Sequence, residues 1–218
     1  ASGLRAALER LGLSPHNVVG IGDAENDQAF LKMCGCSVAV ENAIPSLRET
    51  ADILTHARGA GVTALARQLL DTDLRSPGLD VPKARPLLGC RKDGSQVHLA
   101  PFETALVTGS SGGGKSTIVN AVLEQMRELD FQFCVVDPEG DYVEFVGAAV
   151  VGDSKHPPTV DEVMSLLQQP AVSVIVNLLA VDPSERPAFL VKLLPALTQL
   201  RSAQGRPHWI VIDAAHHC

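Results

Sequence analysis

The stretch Gly109-Ser110-Ser111-Gly112-Gly113-Gly114-Lys115-Ser116-Thr117 decides how this sequence is read. It fits the pattern G-x-x-x-x-G-K-[ST], which wraps backbone N–H groups around phosphate oxygens. The glycines let the chain approach the anion closely, and the positive end of the following helix favours it. Lys115 is the residue to reach the β- and γ-phosphates of a nucleotide, and Ser116 supplies a hydroxyl to Mg²⁺. Thr117 falls beside the α-phosphate. The chemistry requires a strand before the loop and a helix after it. The apolar run Thr104 to Thr108 predicts the strand, and Lys115 to Glu128 has helical spacing.

Downstream the pattern alternates. Phe131 to Val136 reads as a strand, Val160 to Leu167 as a helix, and Val172 to Leu179 as a strand. Pro187 to Leu200 reads as a long helix and Trp209 to Ile212 as a final strand. Upstream, Leu87 to Cys90 and Gln96 to Leu99 flank Asp93-Gly94, a hairpin signal. Such alternation predicts a parallel sheet covered by helices on both faces. A magnesium nucleotide site also needs an acid at a neighbouring strand end. His208-Trp-Ile-Val-Ile-Asp213 supplies one, the alternative being an Asp that merely caps the next helix. Asp137-Pro-Glu-Gly-Asp-Tyr142 is a second acidic strand end, readable either as a solvated turn or as a neighbour of the γ-phosphate.

These three motifs, ending in Ile-Val-Ile-Asp213-Ala-Ala-His-His, resemble the HerA/FtsK branch of P-loop ATPases over about residues 87–218. The resemblance implies a RecA-like sheet, ATP and Mg²⁺ as ligands, a hexameric homo-oligomer, and driven movement of DNA or protein. It makes Lys115 and Asp213 the catalytic pair. It implies that residues 109–117 hold ATP and that Ser116 and Asp213 hold the metal. One position departs from the family, which reads Asp-Glu-Ala-His where this chain has Asp213-Ala214-Ala215-His216. The missing Glu polarises the attacking water. Losing such a group costs about 10²–10⁴ in rate, so nucleotide binding is expected without assured hydrolysis.

The first 70 residues carry a different signature. Gly22-Asp23-Ala-Glu-Asn-Asp27 follows the apolar run Val18 to Ile21 and precedes a helical run, Ala29 to Cys34. Two carboxylates at a strand's carboxyl end suit Mg²⁺, a hard cation that keeps several waters. Acids at a helix N-terminus are also favoured by its dipole alone. Further elements are predicted at Leu4 to Leu11 (helix), Ser37 to Val40 (strand), Ile44 to Ala51 (helix), Asp52 to Leu54 (strand) and Val62 to Leu70 (helix). With Val-Ala-Val-Glu-Asn42-Ala following, residues 3–70 resemble the C-terminal part of haloacid-dehalogenase-like phosphatases of the Cof type. By that resemblance Asp23 and Asp27 are Mg²⁺ carboxylates and Asn42 lies near them. The family's nucleophile lies in a D-x-D motif, and none precedes Gly22 here. Its Lys usually stands where Ala1-Ser2 are found. Covalent phosphoryl transfer is therefore not expected of this chain as written. Starting Ala1-Ser2-Gly3 without Met, it reads as processed or as a piece of a longer protein.

The fold class expected is thus α/β: a partial Rossmann-like core of the haloacid dehalogenase type at 1–72, a Pro-rich linker at 73–86, and a P-loop sheet domain at 87–218. Both domains read as incomplete. The net charge is −7, shared by both halves. That gives no overall basic excess to support nucleic-acid binding. No apolar run reaches the ~20 residues that cross a bilayer. The N-terminal residues show no charged segment followed by an apolar one, so no secretory signal is expected from them. Five scattered cysteines read as small buried hydrophobes plus a loose C-terminal thiol, which fits a cytoplasmic location. His216 and His217, side by side, are expected to point apart and to hold no metal, and Trp209 to pack in the core. Three functions are in play: an ATP-binding motor-type domain joined to a phosphatase-like one, a phosphohydrolase with a regulatory nucleotide-binding half, and a nucleotide-sensing scaffold without catalysis.

Overall fold

A computed structural model describes residues 2–71, 85–99, 104–110 and 112–218. The chain divides into two compact units, Ala1–Ala84 and Arg85–Cys218. Most of the expected linker, residues 73–84, lies outside the described residues.

The first unit is a three-stranded parallel sheet in the order β1-β2-β3, formed by β1 (Val19–Gly22), β2 (Cys36–Val40) and β3 (Ile53–Thr55). Its helices are α1 (Ser2–Leu11), α2 (Gln28–Leu31), α3 (Pro45–Thr50) and α4 (Arg58–Asp71). The central strand β2 is buried along its whole length, because helices cover both sides. Leu31 of α2 and Leu47 of α3 pack against Ala39, while Leu65 of α4 packs against Cys36 and Val38. The helix expected over Ala29–Cys34 is shorter: a 3₁₀ turn at Glu25–Asp27 leads into α2, which stops at Leu31. At Gly35 the chain passes tightly under the preceding turn. Its N–H donates to the Pro15 carbonyl at 2.9 Å, and an added Cβ would lie 2.1 Å from the His16 carbonyl oxygen. Backbone cannot yield as a side chain can, so Gly35→Ala is expected to destabilise this unit by about 2 kcal/mol, read as an earlier urea midpoint.

The second unit opens with the antiparallel hairpin β4 (Leu87–Cys90) and β5 (Gln96–His98), turned at Gly94 with φ of 84°. Helix α5 (Lys115–Glu128) holds the hairpin: Gln125 Nε2 donates to the Leu87 carbonyl and its Oε1 accepts the Leu87 N–H. The main sheet is parallel, ordered β7-β8-β6-β9, from β6 (Phe133–Asp137), β7 (Ala148–Val151), β8 (Ser173–Asn177) and β9 (Trp209–Ile212). Alternation along the strands sends Phe133, Val135 and Ile175 to one face with Val122, Leu123 and Met126 of α5. The other face takes α6 (Val160–Leu167) and α7 (Arg186–Gln204) through Val163, Leu193 and Leu197.

One expectation is corrected, and one strand is added. Thr104–Thr108 is not a strand: residues 104–110 pair with no sheet, and Leu106 is 88% exposed. A strand is made by pairing, and residues 104–108 do not pair with the outer edge of β9, which stays open among the described residues. Strand β7 has no counterpart among the elements the sequence predicts, and it adds the fourth position of the sheet. No helix among the described residues is long and apolar enough to cross a membrane.

Candidate functional site

In the first unit the acidic loop sits where β1 ends. Asp27 folds back over it, its Oδ2 accepting the N–H groups of Asp23 at 2.9 Å and Ala24 at 3.1 Å. Gly22 makes this possible, since a Cβ there would lie 2.6 Å from the Asp27 Cβ and 2.9 Å from its Oδ2. The Asp23 side chain is exposed and makes no hydrogen bond to the described residues. The loop carrying Asn42 is drawn alongside, because the Ile44 N–H donates to the Asp23 carbonyl at 3.0 Å. The donor set fits Mg²⁺, which is bound through one or two carboxylates plus water and phosphate oxygens. Asp23 is open to a cation, and Asp27 is held in one orientation by two backbone donors. Among the described residues no group of three or more His, Cys, Asp or Glu surrounds a common point, so a cation here leans on ligands beyond these two.

In the second unit the glycine-rich loop runs into α5. Gly112 and Gly114 have φ of 73° and 83°, a conformation that costs other residues but not glycine. Lys115 turns back over the loop, its Nζ donating to the carbonyls of Gly109 at 3.2 Å and Ser110 at 3.1 Å. Ser116 is half-buried in the first turn and Thr117 exposed beside it. Ser111 lies outside the described residues.

The carboxyl ends of the strands gather a separate polar group, in the place where open parallel sheets bind ligands. Asp137, fully buried at the end of β6, is the post around which the next loop winds. Its Oδ1 accepts the N–H groups of Gly140 at 2.7 Å and Asp141 at 3.1 Å, and its Oδ2 accepts that of Tyr142 at 3.1 Å. The acidic strand end is thus an ordered turn, with Asp137 consumed in building it. The turn delivers Tyr142, whose hydroxyl donates to Asp213 Oδ2 at 2.8 Å. Asp213 Oδ1 accepts the Ala214 N–H at 2.8 Å, so its carboxylate is held at both oxygens. Burial first, then the bond to Asp213 and the neighbouring carboxylates, push the Tyr142 phenol well above its ordinary range and keep it a donor. Burial, then the charges of Asp137, Glu139 and Asp213, raise the Asp141 carboxyl.

Ala214 has φ of 40°, a left-handed backbone that non-glycine residues rarely adopt, and leads into a 3₁₀ turn over Ala215–His217. That turn corrects the expectation for the histidines. The rings of His216 and His217 lie 4.0 Å apart rather than diverging, and His217 Nε2 is 3.3 Å from Glu139 Oε1. Trp209 is half-buried on the α5 side. Cys34, Cys36 and Cys134 are buried as expected, but Cys90 is exposed on the hairpin.

Sequence reasoning missed three residues here. Arg186, at the start of α7, is buried and donates to the carbonyls of Val181 and His217, binding the last turn to the loop that follows β8. Asn177, beside Asp137 in register, accepts the Leu179 N–H through Oδ1, while its buried Nδ2 has no partner among the described residues. The reach of Tyr142 to Asp213 was the third. Its one sequence signal was being the sole tyrosine, set in an acidic strand end.

Comparison with known proteins bears on the first unit. Residues 1–63 match the family model of haloacid dehalogenase-like hydrolases. A phosphoglycolate phosphatase of Methanothermobacter thermautotrophicus is 44% identical over 70 residues, 32% of each chain. A 5-amino-6-(5-phospho-D-ribitylamino)uracil phosphatase of Bacillus subtilis is 42% identical over 55 residues, 25% of this chain and 22% of that protein. A solved haloacid dehalogenase-like hydrolase from Bacteroides thetaiotaomicron is 34% identical, covering 30% of this chain and 26% of that one with a TM-score of 0.29. Residues 1–63 are thus similar to haloacid dehalogenase-like hydrolases, and the chain spans a third or less of the length of these relatives.

Proposed function

We propose that this chain belongs to a phosphohydrolase of the haloacid dehalogenase type whose second unit is a regulatory nucleotide-binding module. The similarity of residues 1–63 to that family, over the stretch where Asp27 is locked across Gly22 beside an open Asp23, carries the reading. Asp23 and Asp27 would hold Mg²⁺, which would neutralise charge on a phosphate monoester. The named relatives act on different phosphate esters, so the shared segment supports the phosphate and metal chemistry rather than one substrate. The test is phosphate release by the full-length protein from a panel of monoesters including 2-phosphoglycolate, titrated with Mg²⁺ beside Asp23→Ala. The expected result is Mg²⁺-dependent release, with the half-saturating Mg²⁺ raised or the rate lowered about tenfold or more in the variant. Release indifferent to Asp23, or none from any monoester, would overturn it.

A specific observation favours nucleotide at the second unit. Lys115 already sits over its own loop, its ammonium held by two carbonyls that a phosphate would replace. ATP with Mg²⁺ at residues 109–117 and Asp213 is the ligand we assign. Regulation suits this site better than a hexameric motor, because the methyl group of Ala214 polarises no water.

A further inference from the structure

We propose that Tyr142 is a positioning residue for Asp213, fixing that carboxylate so that it can receive the magnesium of a nucleotide held at Gly109–Thr117. The inference deepens the nucleotide-binding reading of the second unit and rests on it.

The geometry forms a short chain of cause. Asp137 accepts three backbone N–H groups and so dictates the course of residues 138–142. Gly140, with φ of 80°, lets the turn close. The turn aims Tyr142 across the sheet from the end of β6 to the end of β9, its immediate neighbour. The phenol hydroxyl then takes Asp213 Oδ2 at 2.8 Å. Tyr142 is only 1% exposed. It shares its buried cluster with Leu123 and Met126 of α5, with Phe133 and with Ile175. One side chain thus packs under the helix that begins at Lys115 and also holds the acid at the end of β9. A carboxylate on a strand end otherwise has free rotation about χ2. Here a fixed donor on one oxygen and the Ala214 N–H on the other set its plane. Such partners of a metal-binding carboxylate tune its affinity about as strongly as modest changes in the ligands themselves.

The test uses a fluorescent ATP analogue, anisotropy, and a Mg²⁺ titration starting from EDTA, on the wild-type chain, Tyr142→Phe, Asp213→Ala and the double variant. The expected result for Tyr142→Phe is metal-free affinity within about twofold of wild type and a half-saturating Mg²⁺ raised about tenfold or more. In the Asp213→Ala background the same change should do nothing further, which a purely structural role would not produce. An unchanged Mg²⁺ requirement, or an additive effect in the double variant, overturns the proposal. Failure of the wild type to bind the analogue, or equal binding by Lys115→Ala, sinks the nucleotide site itself and is read from the EDTA arm alone. A second measurement does not depend on the variant folding. Tyr142 is the only tyrosine of the chain, so 3-fluorotyrosine gives one ¹⁹F resonance. It should shift when Mg²⁺ joins the nucleotide complex of the wild type, and not in Asp213→Ala. A resonance indifferent to Mg²⁺ in the wild type overturns the proposal.

Discussion

Lys115→Ala is expected to weaken binding of Mg-ATP by the second unit about a hundredfold, with its thermal transition unchanged. Hydrogen bonds to charged groups contribute about 1.5–3 kcal/mol each, and a lysine bridging two phosphates makes at least two. The gross loss is therefore about 3–6 kcal/mol. Part of it is offset, because the free protein already satisfies the ammonium with the Gly109 and Ser110 carbonyls, and those bonds are given up on binding. A net loss near 2.7 kcal/mol corresponds to about a hundredfold in affinity. Fold stability should not follow, since both bonds are exposed and join the first residue of α5 only to the loop that directly precedes it. Anisotropy of a fluorescent ATP analogue measures the affinity and a thermal melt the stability. Equal affinity in the variant would remove nucleotide from the second unit. Lost affinity together with a lowered melt would reassign Lys115 to the structure of the loop.

Local patterns carried most of the secondary structure. The continuous apolar runs at 131–136 and 172–179 became β6 and β8, each buried along its whole length. Pro45 and the Asp93-Gly94 pair marked a helix start and a hairpin turn that the structure shows. The failures have one physical source. Thr104–Thr108 has the apolar composition of a strand but takes up no edge, although the outer edge of β9 stays unpaired among the described residues, and composition does not report partners. Strand β7 was invisible for the opposite reason. Ala148-Ala149-Val150-Val151 is short and weakly patterned, and it becomes a strand because β8 offers it an edge. The candidate site followed the same division. Asp23, Asp27, Lys115 and Asp213 could be named from spacing. The bond from Tyr142 to Asp213 joins residues 71 positions apart and is made by the order of the strands.

The strongest effect on stability is expected at a residue with no sequence signal. Arg206 is fully buried, beside Gln132, which is 2% exposed. Its guanidinium donates to the Leu167 and Gln168 carbonyls at the end of α6, and to the side-chain oxygens of Gln132 and Gln204. Gln132 completes the clamp, its Nε2 donating to the carbonyls of Leu167, Gln169 and Val172. Together they satisfy the carbonyls left open where α6 ends, a need every helix terminus has. Burial pulls the Arg206 pKa down, yet an arginine starts so high that it stays charged at neutral pH. Arg206→Met keeps much of the stem's packing but strands the Gln132 Oε1 and the Gln168 carbonyl. Leu167 keeps its second donor from Gln132. Each stranded acceptor costs about 1–3 kcal/mol, so the second unit should lose about 3 kcal/mol and melt roughly 10 °C lower. Relief of the guanidinium's own desolvation works against this loss, and it separates two outcomes. If the hydrogen bonds dominate, Arg206→Met destabilises, and Arg206→Met with Gln132→Leu loses less than the sum of the single changes, because each has already broken their shared bond. If desolvation dominates, Arg206→Met melts at or above the wild type. The clamp would then serve to fix the end of α6 against the sheet rather than to stabilise it.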